Sequence, residues 1–273
     1  MTKSEKVIKV VSYVVLTALI VVMIFPFVWM VLSSLKPFRE IYRPYLFPKN
    51  PTLDNYKQIM GSSLFPNWFL NSLLVALSTT FSVLFFDSLV GYTIAKYRFP
   101  GRNIIFIFIL STLMIPTEML IIPWYIMSSK LGWIDTYWGI MFPGMITAFG
   151  IFLMRQFMET IPDDLLDAAR IDGVSEFGIF YKIALPLVKP ALASLAILNF
   201  IGNWNAFLWP LIVSSKPKMY TLPVGLAYFS SENLMHWELI MTGATISTIP
   251  LIIVFLIFQK QIIRGIMLSG LKG

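Results

Sequence analysis

Residues Pro162 to Pro190 read PDDLLDAARIDGVSEFGIFYKIALPLVKP, and they form a polar island in a hydrophobic chain. Five of the fourteen acidic residues lie there: Asp163, Asp164, Asp167, Asp172 and Glu176. Such a segment cannot face lipid. Its local signals predict two short helices. Pro162 suits a first helical position, Asp163 and Asp164 favour the positive end of a helix dipole, and Gly173 can take the left-handed stop conformation, so the first helix is expected over about Pro162 to Asp172. Ser175 can cap a second, which Pro186 should end near Leu185. Asp164, Asp167, Ala168 and Ile171 recur at helical spacing, while Ala168 and Ala169 leave room for close approach, so the first helix reads as a docking surface.

The chain around this island is membrane-embedded. Over 273 residues, 57% are hydrophobic and 13% charged, with a mean hydropathy of +0.76; soluble domains carry about 25% charged residues. Each apolar run reaches the roughly 20 residues a helix needs to cross a bilayer. The expected fold is an all-α membrane protein of a single domain, residues 1–273, with six spans at about 10–35, 68–95, 104–127, 138–157, 192–213 and 239–258 and a polar loop at 159–190 between the fourth and fifth. Lys3, Lys6 and Lys9 precede the first span, which lacks the short apolar core and small-residue cleavage site of a signal peptide. This basic start places the N-terminus in the cytoplasm, and the basic end, Gln259 to Gly273 with Lys260, Arg264 and Lys272, is expected there as a tail. Lys96 to Arg102 forms a short cytoplasmic turn. Lys36 to Pro66, with five prolines, and Ser214 to Glu238 read as irregular outer loops, His236 being a loop residue.

Composition excludes several chemistries. With no cysteine there is no disulfide, thiolate metal site or Cys nucleophile, and one histidine gives no His cluster or conventional triad. The net charge of +7 resides at the ends of apolar runs and forms no stripe for nucleic acid. No Gly-x-x-x-x-Gly-Lys-Ser/Thr phosphate loop occurs, so the chain has no conventional ATP site and needs no cofactor of its own.

Polar groups inside the spans are the remaining candidates. Asp87 either pairs with Lys96 or serves function. Glu118, between Pro116 and Pro123, either lines a cavity or reaches the interface from a kinked packing helix. Asn199 and Asn203 are four apart on one face, with Trp204 adjacent. Converging amides and an aromatic plane suit a sugar, and they equally suit interhelical hydrogen bonds and an interfacial aromatic belt.

Asp167-Ala168-Ala169, then Asp172-Gly173, then Ile183-Ala184-Leu185-Pro186 resemble the cytoplasmic coupling loop of ABC-importer membrane subunits, whose pattern is Glu-Ala-Ala, Asp-Gly and Leu-Pro. Asp167 replaces the family's Glu. Pro48 to Tyr56, Thr221 to Leu226 and the Gly265 to Gly273 tail extend the resemblance to carbohydrate importers of the maltose type. It implies a non-catalytic permease subunit in a prokaryotic cell membrane, both termini cytoplasmic. Its implied partners are a second permease, two ATPase subunits that bind the ATP, an extracytoplasmic solute-binding protein, a carbohydrate and the bilayer. Asp167, Ala168, Ala169, Asp172, Gly173, Leu185 and Pro186 would couple to the ATPase; Glu118, Asn199, Asn203 and Trp204 are candidates for the substrate path. Two other classes compete. A secondary transporter would need more in-span ionisable groups than Asp87 and Glu118, and a membrane enzyme would need a nucleophile–base pair that no span shows.

Overall fold

The apolar runs fold as helices because a backbone in lipid must satisfy its own hydrogen bonds. The computed structural model describes residues 3–61, 64–231 and 236–270, and all regular structure among them is helical. In chain order the α-helices are α1 (Lys3–Ser34), α2 (Phe38–Ile41), α3 (Asp54–Gly61), α4 (Phe65–Lys96), α5 (Arg102–Thr112), α6 (Ile121–Lys130), α7 (Tyr137–Met141), α8 (Ala148–Glu159), α9 (Asp163–Ile171), α10 (Glu176–Ile179), α11 (Leu185–Leu187), α12 (Lys189–Trp204), α13 (Leu208–Val213), α14 (Leu222–Ser231) and α15 (Trp237–Gly270). Among the described residues, three stretches are long and apolar enough to cross a membrane unbroken: Ile8–Ser34, Phe65–Lys96 and Trp237–Gln259. Three bent pairs raise the number to six if each is one span.

The third span breaks at a proline, as its sequence suggests, whereas the fourth and fifth depart from the expectation of continuous spans; the third bent pair, Glu176–Leu187 with Lys189–Trp204, turns by 83° where the hairpin meets α12. The third turns by 94° between α5 and Thr117–Lys130. Pro116 makes this break, whereas Pro123 sits in the first turn of α6, where its missing N–H costs no helical bond. In the fourth, Phe142–Gly144 is a 3₁₀ turn and the chain bends 45° before α8. The expected fifth span stops at Trp204. Pro210 cannot donate to a carbonyl four residues back, and the helix is interrupted at 205–207 before α13.

Other boundaries shift as well. Pro162 is the extended N-cap of α9, not its first residue, and Asp172 is the C-cap. Pro186 does not end the second hairpin helix. A π turn at Phe180–Ala184, in which the Leu185 N–H reaches the Phe180 carbonyl, shifts the register so that α11 continues through the proline to Leu187. The first outer loop is not irregular: it holds α2 and the two-turn α3. The last outer loop carries α14, and the basic tail is helical as far as Gly270. Residues 62–63 and 232–235 of these loops and 271–273 of the tail, including Lys272, lie outside the described residues.

The chain packs as two compact units, Met1–Pro66 with Leu226–Ile249, and Asn67–Gly225 with Pro250–Gly273. In the first, the end of α1 is fixed by side chains from distant elements. Asn55 Nδ2 donates to the Ser34 and Lys36 carbonyls at 2.8 and 2.9 Å, and the Thr242 hydroxyl also reaches Ser34 O. The fully buried Lys36 ammonium donates to the Tyr45 carbonyl at 2.6 Å and lies over the Trp29 and Tyr45 rings. His236 is more than a loop residue, since its Nδ1 is 2.9 Å from Glu238 Oε1 at the start of α15.

In the second unit α4 is the mast. Trp68 Nε1 donates to Pro217 O, Asn71 Nδ2 to Lys218 O and Tyr220 O, and Ser72 Oγ accepts from the Leu222 N–H. Further along, the Ser82 hydroxyl donates to Met145 O, and both Asp87 carboxyl oxygens accept from the Thr147 N–H. These bonds satisfy the exposed backbone of the fourth-span break, which is the condition for irregular chain at membrane depth. Asp87 is therefore not paired with Lys96.

Candidate coupling surface and substrate path

The hairpin α9–α11 is built from local signals. Asp163 and Asp164 occupy the first turn of α9, and Arg170 the last. At its end Gly173 takes φ +79°; its N–H bonds to Arg170 O and the Val174 N–H to Ala169 O, both at 3.0 Å, a complete Schellman motif. Ser175 Oγ accepts from the Gly178 N–H and caps α10. Leu166, Ala169, Ile179, Phe180 and Ala184 are buried in one apolar cluster with Tyr92, Met154 and Met158.

The opposite face of α9 is open. Asp164, Leu165, Asp167, Ala168, Ile171 and Asp172 are exposed, and Ile171 keeps 86% of its surface accessible. Phe177, Tyr181, Pro186 and Leu187 are exposed nearby in sequence, while Leu185 is half-buried. The two alanines thus separate: Ala168 faces outward, whereas Ala169 is packed inside its own chain. Ile171, Phe177, Tyr181 and Leu187 are thus large apolar side chains that the chain itself leaves uncovered.

Electrostatics brace the hairpin. Arg170 is within 2.5 Å of Asp167, and its Nε and Nη2 donate to both oxygens of Glu176, at 2.8 and 3.3 Å. The Tyr97 hydroxyl donates to the same carboxylate at 2.5 Å. Arg170 and then Tyr97 hold the Glu176 carboxyl below its usual range; burial, followed by that carboxylate, pushes the Tyr97 phenol up to about 12. Lys96, its side chain 6% exposed, donates to Ile161 O at 2.5 Å and to Asp163 Oδ1 at 2.7 Å, and lowers the Asp163 carboxyl. Sequence reading placed Tyr97 only in a basic turn and gave Lys96 Asp87 as its possible partner. The Asp167–Arg170 spacing was a readable signal, but partners 67 and 79 residues apart were not.

The path candidates divide into three positions. Asn203 Nδ2 donates to Asn199 O and Oδ1 at 3.0 and 3.1 Å, and the Thr80 hydroxyl donates to Asn199 Oδ1 at 3.2 Å. This amide pair is half-buried. Trp204 is 2% exposed, stacked on Phe200 and edge-on to Phe69. Glu118 is on the exposed turn Thr117–Leu120 and shares no hydrogen bond with either asparagine.

This chain thus combines broken spans with an exposed, braced hairpin. The family described as the binding-protein-dependent transport system inner membrane component matches residues 87–267, from Asp87 through the hairpin into α15. The chain belongs to this family. It is similar to the arabinooligosaccharides transport system permease protein AraQ of Bacillus subtilis, 42% identical over 92% of this chain and 91% of that protein. It is also similar to the trehalose/maltose transport system permease protein MalG of Thermococcus litoralis, 33% identical over 93% of each. A crystal structure of a bacterial ABC transporter that imports the acidic polysaccharide alginate contains the same fold, with a TM-score of 0.87 at 24% identity over 95% of this chain and 98% of that one. As an inner membrane component the permease is a multi-pass, non-catalytic subunit, and membership implies an ATPase and a binding protein as partners.

Proposed function

We propose that this permease forms half of the translocation path of an ATP-driven carbohydrate importer. A second, different permease chain completes the path, two ATPase subunits dock below the pair with one of them on this hairpin, and both termini are cytoplasmic. The carbohydrate class follows from relatives named for arabinooligosaccharides and for trehalose and maltose. The observation that carries the docking assignment is the uncovered face of α9 with Ile171 at its end, set on a helix whose other face is packed into the chain. Asp167, Ala168 and Asp172 would meet the ATPase, Ala169 would fix the distance between α9 and the core, and Gly173, Leu185 and Pro186 would set the hairpin's angle. A rigid-body shift of docked ATPases then moves α9 and the spans packed on it, provided that the contacts differ between the ATPase states.

One experiment tests docking and orientation together. The chain has no cysteine, so Ile171→Cys gives a single labelling site. A membrane-impermeant maleimide is expected to leave it unlabelled in intact cells, to label it in inside-out vesicles stripped of ATPase, and to be blocked when ATPase is restored. Labelling from outside would overturn the topology, and labelling unaffected by ATPase would overturn the docking.

Glu118, Asn199 and Asn203 would line the path, with Trp204 supporting α12 behind the amide pair. Glu118→Gln and Asn203→Ala are each expected to slow uptake by about five-fold, the scale of one lost hydrogen bond, with unchanged subunit assembly. Uptake kinetics and sugar preference equal to wild type would assign these residues to packing. The secondary-transporter reading gains no support from an Asp87 whose oxygens are occupied by Thr147.

A further inference from the structure

We infer that Lys96 and Tyr97 are positioning residues that hand the hairpin's displacement to α4, and through α4 to the amide pair and the outer loop. This rests on the hairpin being the ATPase-docking element. The two residues end one helix and hold the hairpin at two separate points. Lys96 grips the start of α9 through Ile161 O and Asp163, and Tyr97 grips the start of α10 through Glu176. Arg170, bonded to both Asp167 and Glu176, ties the two hairpin helices together, so the hairpin offers α4 a braced body in place of a floppy loop. Lys96 is nearly buried and donates to a backbone carbonyl as well as a carboxylate, which fixes direction better than an exposed ion pair does.

The far contacts of α4 determine where the movement goes. Its 32 residues span about 48 Å at ~1.5 Å each. From the hairpin end outward, its side chains hold Thr147 through Asp87, Met145 through Ser82, Asn199 through Thr80, then Tyr220, Lys218, Leu222 and Pro217 through Asn71, Ser72 and Trp68. One helix therefore joins the hairpin to the break in the fourth span, to the candidate path and to the outer segment after α13. Shifting its end shifts all of these together, because a packed helix moves as a unit and its hydrogen-bonded partners follow.

The test uses the assembled transporter in vesicles with its binding protein, and three variants. Tyr97→Phe removes one hydroxyl and keeps the ring that packs edge-on to Tyr92. Lys96→Met removes the donor and keeps the aliphatic stem. Lys96→Arg retains donors for both acceptors. Three quantities are read: ATPase retained on purification, hydrolysis, and sugar transported per ATP. Tyr97→Phe and Lys96→Met are expected to keep the ATPase bound while sugar per ATP falls by about five-fold or more, the lower range of coupling between sites; Lys96→Arg is expected to recover most of it. Unchanged sugar per ATP with the ATPase bound would overturn the transmission role and leave the docking assignment intact. Loss of the ATPase from Tyr97→Phe would also overturn it, because these residues would then only hold the hairpin's fold. Failure of docking itself is read separately, from Ile171→Cys.

Discussion

Gly173→Val is expected to leave the spans inserted, to weaken ATPase retention and to reduce uptake by about ten-fold or more, within the range of coupling between sites. A Cβ at this position would meet nothing within 4 Å, so the effect is not steric crowding by neighbours. It comes from the backbone. At φ +79° a side chain costs roughly 1–2 kcal/mol, and a β-branched one is a genuine outlier. The strain is relieved by opening the turn, which breaks the Gly173–Arg170 and Val174–Ala169 bonds. Arg170 precedes this turn and Glu176 follows it, so their ion pair is lost as well, and with it the brace that Tyr97 holds. Gly173→Asn, which tolerates the left-handed region better, should fall between the two. ATPase co-purification and uptake at matched permease levels measure both effects. Wild-type values for Gly173→Val would make the hairpin a passive surface loop.

Much of this hairpin was legible because its determinants are local. Asp163, Asp164, Gly173 and Ser175 each act within a turn of their own position as sequence reading expects, and Pro162 falls one place earlier, as the extended N-cap. Pro116 marked the break in the third span, but those in the fourth and fifth were not legible in hydropathy, since Met145 and Phe207 are as apolar as their neighbours. What permits the fourth-span break is supplied from α4, by Ser82 and Asp87, more than 60 residues earlier in one case and 60 in the other. Proline misled in the opposite direction at Pro186, through which a π turn carries the hairpin helix, whereas the spans expected across Pro26 and Pro250 do run through them in α1 and α15. A missing N–H ends a helix only where nothing else re-satisfies the freed carbonyl. In the path, the four-residue spacing did bring Asn199 and Asn203 together, but it could not indicate that Thr80 joins them or that the Trp204 ring is enclosed.

Asp87→Leu is expected to be the most damaging single substitution for folding in this chain. Asp87 is fully buried and accepts from the Thr147 N–H at 3.1 and 3.2 Å and from its hydroxyl at 2.7 Å. Thr147 is the N-cap of α8, its hydroxyl oxygen in turn accepting from the Gly150 N–H. A leucine would leave the Thr147 N–H and hydroxyl buried without their acceptor, at about 1–3 kcal/mol each, in a lipid-embedded break that water cannot repair. Membrane levels and the thermal midpoint of the solubilised protein should both drop. Asp87→Asn keeps a carbonyl acceptor of the same shape and should be milder. Gly150→Ala attacks the same joint from the other side, since its Cβ would fall on the Asp87 carboxyl group. The pair Asp87→Leu with Thr147→Val removes acceptor and hydroxyl donor together, so it should cost less than the sum of the two single changes. If Asp87→Leu accumulated and melted like wild type yet lost uptake, Asp87 would have to act in transport, and the carboxyl group that holds the fourth span at its break would not be structural.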